Sequence, residues 1–165
     1  MDRFDINLTF TPESVTGVQS GYENTLGGIE YRIEGRDIVA PDSVEEPSTM
    51  DYLGMAIQSL LVAANNLLEN EPGYIAYHEF EAYLVLNPTR TQTVLLGVSR
   101  NSWEEAIKRA ESGKEISLET LVDEALETGE LYLTWLDNQD AVFRTRTYSR
   151  KIKRLINELE NKRGS

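Results

Sequence analysis

The chain has 165 residues, 40% of them hydrophobic and 27% charged, and its 28 Asp and Glu outnumber 16 Lys and Arg for a net charge of −12. That length suits one domain with a core large enough to need no disulfide or metal, and the composition matches neither disorder nor collagen nor a membrane protein. With no cysteine at all, disulfides, thiolate nucleophiles and Cys-ligated zinc or iron–sulfur sites are excluded.

The charge is uneven. Between Arg144 and Ser165, eight basic residues against two acidic ones make a +6 segment, which leaves −18 on the rest of the chain. An acidic body repels phosphate backbones and attracts basic partners, although acidity also serves solubility or adaptation to a salty cytoplasm. The first fifteen residues carry Asp2, Arg3, Asp5 and Glu13 and lack the apolar run of a signal peptide. The longest near-apolar window, Leu53 to Ala64, is too short to span a bilayer, so a cytoplasmic location without membrane association is expected. Residues 1–163 read as a single α+β domain, and Gly164-Ser165 as a cloning remnant.

Phe4, Ile6, Leu8 and Phe10 alternate with polar residues and predict a half-buried strand ended by Pro12. Residues 13 to 28 read as a polar connection, either a loop or a cover for a short strand near Val15 to Val18. Ile29, Tyr31 and Ile33 alternate with charged residues, and Glu34-Gly35 turns them into a hairpin with Asp37 to Val39. After the acidic loop Pro41 to Pro47, Ser48 stands as an N-cap, with Asp51 in a weak capping-box position, for a helix from Thr49 to Leu68. Leu53, Ile57, Leu60, Leu61, Ala64, Leu67 and Leu68 form its stripe, and the further apolar positions predict a central helix covered on several sides. Pro72-Gly73 ends it.

Tyr74 to Leu86 and Thr91 to Ser99 predict strands joined at Asn87-Pro88-Thr89-Arg90, giving an antiparallel sheet of about five strands packed on the central helix. Ser102 caps a short helix from Trp103 to Glu111, and Ser117 caps another beginning at Leu118. Residues 129 to 148 fit either a helix running through Gly129 or a hairpin turning at Asp137 to Asp140; the apolar spacing passes Gly129 in phase, which favours helix. Ile152, Leu155, Ile156 and Leu159 then give a final amphipathic helix, so the C-terminal half is helical.

His78 is the only histidine, which excludes a two-histidine metal site. In a regular strand it shares its face with Phe80, Ala82, Leu84 and Leu86, which predicts a buried structural histidine. No G-x-S-x-G elbow or glycine-rich phosphate loop is present. No catalytic residue, metal ligand or cofactor is therefore assigned. The opposite face of the same strand carries Tyr77, Glu79, Glu81 and Tyr83, where tyrosine offers rigid contact area and glutamate complementary charge for a basic protein partner. Arg144, Arg146, Arg150, Lys151 and Arg154 form the one basic patch, suited to phosphate if it is not neutralised by the acidic body. The function expected on these grounds is non-enzymatic: an acidic binding domain, of the inhibitor or toxin-neutralising kind, that engages a basic protein. A nucleic-acid-binding protein using the C-terminal helix, and a small carboxylate enzyme using Glu79, Glu81 and Tyr83, are the alternatives. The sequence leaves the oligomeric state open.

Overall fold

The computed structural model describes residues 1–164. Strand β1 (Phe4–Thr9) is followed by helix α1 (Pro12–Gln19), then by β2 (Leu26–Ile33), β3 (Arg36–Asp37) and β4 (Met50–Tyr52). Helix α2 (Leu53–Leu68) leads to β5 (Gly73–Ala76), β6 (Tyr83–Pro88) and β7 (Thr93–Ser99). Helix α3 (Trp103–Ala110), strand β8 (Lys114–Ser117) and helices α4 (Leu118–Asp137) and α5 (Thr147–Arg163) complete the chain. The α+β class, the central helix and the helical C-terminal half are as expected. The strands form two antiparallel sheets of four rather than one sheet of about five: β1, β3 and β4 all pair with β2, while the second sheet runs β5-β6-β7-β8.

Helix α2 is the hub. Its Leu53, Ile57, Leu60, Leu61 and Ala64 are fully buried, and it contacts both sheets together with α4 and α5, as a helix apolar on most sides must. Close approach here depends on glycine. A Cβ on Gly73 would stand 2.7 Å from Ala63 Cβ, and one on Gly129 would meet Ile156 and Leu61 at 3.1 to 3.4 Å. Gly129 thus lies inside α4, where α5 and α2 press against it, and does not cap a helix; the hairpin alternative for residues 129 to 148 is not formed. Asn65 Nδ2 donates to Leu155 O at 3.3 Å and ties α2 to α5. Ile152, Leu155, Ile156 and Leu159 are buried as their spacing predicts.

Several local expectations are corrected. Residues 12–19, read as loop or strand, form α1, with Thr11 and Ser14 bonded reciprocally as a capping box and Pro12 in the first turn. Helix α2 starts at Leu53, not Thr49: Met50 to Tyr52 pair with Leu26 to Gly28 as β4, and Ser48 caps nothing. Strand β8 was not foreseen, being four residues long with only Ile116 buried. The free edge of β1 is covered: Glu124 of α4 accepts from Ile6 N at 2.9 Å, and Trp135 stacks on Phe10 at 4.2 Å, which protects an edge that would otherwise invite pairing. Gly164 follows α5 as its C-cap, and Ser165, the other half of the pair read as a cloning remnant, lies outside the described residues. Among the described residues no helix is long and apolar enough to cross a membrane.

Candidate functional site

The strand expected across residues 74 to 86 is broken, and the break creates the most distinctive surface of the molecule. Strand β5 ends at Ala76, and Tyr77 N donates to Ala82 O at 3.1 Å, closing a turn whose tip is His78 to Glu81. Asp51 of β4 is the buried anchor of that turn: its Oδ1 accepts from His78 N at 3.0 Å and Glu79 N at 3.2 Å, and its Oδ2 lies 3.4 Å from His78 Nδ1. The Tyr77 ring is buried, donates its hydroxyl to Ile29 O at 3.0 Å, and packs against Tyr31 and Phe80. Tyr77 therefore leaves the face it was expected to share with Glu79, Glu81 and Tyr83 and serves as the root of the turn. His78, expected in an apolar row, is on the surface with its side chain 32% exposed. A buried Asp beside a surface His is two members of a hydrolase triad, but among the described residues no hydroxyl hydrogen-bonds the His78 ring.

Of the remaining three, Glu81 and Tyr83 meet, in company the sequence did not reveal, while Glu79 lies on the side of the cleft described below. Tyr83 donates to Glu81 Oε1 at 3.2 Å and packs on Trp103 at 4.9 Å, and Trp103 meets Tyr74 edge-on at 5.6 Å. Tyr74 is 48% exposed and Ile107, on the same helix as Trp103, 44%. Ser102 sets this arrangement by capping α3 through Glu105 N at 3.1 Å, which places Trp103 at the start of the helix. On the other side of the turn, Arg100 lies over Phe80 at 4.8 Å and donates through Nε to Glu81 O at 2.8 Å.

Beside Phe80 opens a cleft of about 650 Å³ between the turn and residues 39–48. Val39, Met50, Pro47 and Phe80 give it apolar surface, Asp42, Glu45 and Glu79 supply carboxylates, and Arg100 is the one basic residue of the lining; Asp42 also lies 3.9 Å from Arg36. Its frame is a polar knot in which the Ser48 hydroxyl bridges Glu30 and Asp37, Asn7 Nδ2 donates to Glu30 Oε1 at 2.8 Å, and Ala40 N donates to Asp37 Oδ2 at 2.9 Å. This is why Ser48, read as a helix cap, sits elsewhere: two buried carboxylates claim its hydroxyl. Among the described residues no three His, Asp or Glu side chains come together to hold a metal ion.

The basic residues are dispersed by their own contacts. Arg144 lies over the Tyr22 ring at 4.7 Å, Arg146 over Phe143 at 4.6 Å, and Arg154 is 4.0 Å from Glu158. Arg146 and Arg150 also face Glu23 electrostatically. Glu23 is buried and accepts from Ser149 Oγ and from Tyr148 N at 3.2 Å, so it supplies from 125 residues away the capping that α5 lacks at Arg146. Lys151 stands half-buried and Lys153 exposed on the outer side of α5.

These carboxylates fix the pH dependence of stability. Burial pushes Glu23 above the ordinary glutamate value of 4.5, against hydrogen bonds from Ser149 and Tyr148; burial likewise raises Asp37 and Glu124. At Glu30 burial also acts upward, but the bonds from Ser48 and Asn7 outweigh it and leave the carboxyl lowered. The raised groups stabilise most below their unfolded values and lose that contribution as pH rises through their folded ones; the Glu30 contribution is complete above 4.5. Net charge acts in the same direction as the raised groups. The thermal midpoint should therefore rise as pH falls from neutrality toward about 5, and Glu23→Gln should flatten that rise; a midpoint that falls steadily over this range would contradict the assignment.

No protein family, curated protein or solved structure matches the chain.

Proposed function

We propose that this protein is a non-enzymatic binding domain whose turn and adjoining cleft receive a basic protein. The observation that carries this reading is the continuity of two features: a half-exposed aromatic group of Tyr74, Tyr83 and Trp103, and a cleft with carboxylates over apolar surface, joined by the 77–82 turn. Tyrosine and tryptophan are enriched among the few residues that carry most of the binding energy at interfaces, while charge complementarity chiefly sets encounter rate and choice of partner. A lysine or arginine side chain fits the cleft chemically, its stem on the apolar part of the lining and its charge drawn to carboxylates, Asp42, Glu45 and Glu79, that outnumber the one guanidinium there, Arg100. An inhibitor or toxin-neutralising role in the cytoplasm is the form of this reading that the acidic body suits best.

The test is capture from a lysate of the native host on the immobilised protein, at about 0.05 M and about 0.5 M salt, since exposed charge pairs are screened over that range. A basic protein should be retained at low salt, weakened at high salt and lost with Trp103→Ala or with Glu79→Lys combined with Glu81→Lys. Retention of nothing at low salt, or equal retention by these variants, would overturn the proposal. Capture of nucleic acid that disappears with Lys151→Glu and Arg154→Glu would favour the α5 surface instead.

A further inference from the structure

A second cleft, sharing no residue with the docking surface, lies where α1 meets the start of β2 and the end of β4. Its volume is about 550 Å³, and Pro12, Gly17, Leu26, Tyr22 and Tyr52 give it a mainly apolar lining. That is the size and character of a small-molecule site, a largely apolar concavity with a few placed polar groups.

The cleft is built into the fold. Gly17 packs so closely on Thr25 that a Cβ there would stand 2.0 Å from Thr25 Oγ1 and 2.8 Å from Thr25 Cβ, which sets α1 against the start of β2. Gly21 turns the chain with φ of +90°, and Arg144 fastens the segment by donating its N–H to Gly21 O at 2.8 Å while its guanidinium lies 4.7 Å from the Tyr22 ring centroid. Three polar atoms of the lining residues are committed to the scaffold: Thr16 Oγ1 donates to Pro12 O at 3.0 Å, Thr25 Oγ1 to Ser14 O at 3.0 Å, and Asn24 Oδ1 accepts from Met55 N at 3.0 Å. Glu13 is the single charged residue of the lining. It is exposed and, among the described residues, is in none of the ion pairs.

Those features select the ligand. The carboxylate, in a protein of net charge −12, disfavours anions; Arg144 already covers one face of the Tyr22 ring, so the pairing charge for a cation is that of Glu13. Apolar walls call for a flat or bulky apolar body. We propose that this cleft binds a small aromatic ammonium compound, its ring against Tyr22 and Tyr52 and its ammonium paired with Glu13.

The experiment titrates the full chain with tryptamine, and with indole-3-propionate as the anion of similar body, by calorimetry and by amide chemical shifts. Tryptamine should saturate one site at sub-millimolar concentration and shift the amides of Gly17, Tyr22 and Tyr52. Glu13→Gln and Tyr52→Ala should each weaken it about tenfold, about 1.4 kcal/mol. Glu13→Gln changes one exposed side chain, so its result does not depend on refolding. Indole-3-propionate binding as tightly as tryptamine, shifts confined to other parts of the chain, unchanged affinity in Glu13→Gln, or no saturation by about 5 mM would each overturn the proposal.

Discussion

Replacement of Asp51 by alanine should destabilise the protein by about 3 kcal/mol or more, since its buried carboxylate accepts backbone hydrogen bonds each worth about 1.5 to 3 kcal/mol. Asp51 is 1% exposed and accepts from His78 N and Glu79 N through one oxygen while its other oxygen faces His78 Nδ1. Alanine leaves those amides without their acceptor in a site where each unsatisfied group costs about 1 to 3 kcal/mol. Asp51→Asn keeps an acceptor and should cost less than half as much. The functional consequence is the more telling one, because Asp51 fixes the His78 and Glu79 amides at the start of the tip that carries Glu79, Phe80 and Glu81. Hydrogen exchange should show the 77–82 amides opening in Asp51→Ala while the α2 amides remain the slowest; chemical denaturation gives the loss itself. An Asp51→Ala protein as stable as wild type would show that Tyr77 and Arg100 hold the turn without it.

Gly97→Ala should be nearly as damaging, at about 3 kcal/mol or more, the upper end for overpacking. A methyl on Gly97 would fall 2.2 Å from Ala106 O and 2.4 Å from Ala110 N. Both are backbone atoms of α3 or its last turn, so no side-chain rotation relieves the clash and the helix must lift from β7. Trp103 begins α3, and with the helix displaced it leaves Tyr83 and Tyr74. Two readings follow from one substitution: a lower thermal midpoint, and tryptophan emission shifted to the red as the indole is exposed. Trp135, stacked on Phe10, contributes a constant background that Trp135→Phe removes. Unchanged stability and emission would mean that β7 and α3 have room that the contact geometry denies.

How far the sequence could be read follows from where each signal is stored. Helices α2, α4 and α5 carry their own burial pattern, so periodicity alone locates them; for α4 it carries through Gly129 because the residues on either side keep phase. Helix α1 buries only Ser14 and Val18, too few to leave a stripe, yet Thr11-Pro12 with Ser14 three residues beyond the cap was a legible start signal. Strand β4 was hidden because Met50, Leu53 and Ile57 fit helical spacing, and tertiary demand decided otherwise: Asp51 has to face the 77–82 turn. The same applies to Tyr77. Alternation places it beside Glu79, but its hydroxyl reaches Ile29 O across 48 residues, a partner that no local pattern announces. Trp103 was visible as a helix start and was not linked to Tyr83, since their contact depends on Gly97 admitting α3 onto the sheet. Charge was legible in its distribution along the chain but not in its pairing. That the basic residues would be spent on Tyr22, Phe143 and Glu158 required coordinates.

The most direct test of the docking account is a hydrogen-exchange footprint of the complex with whichever basic protein the capture experiment yields. Protection is predicted over residues 74–85 and 100–107 and over the 40–48 segment, with α5 unchanged. Protection centred on Arg144 to Arg154, with the 77–82 turn exchanging as in the free protein, would contradict it.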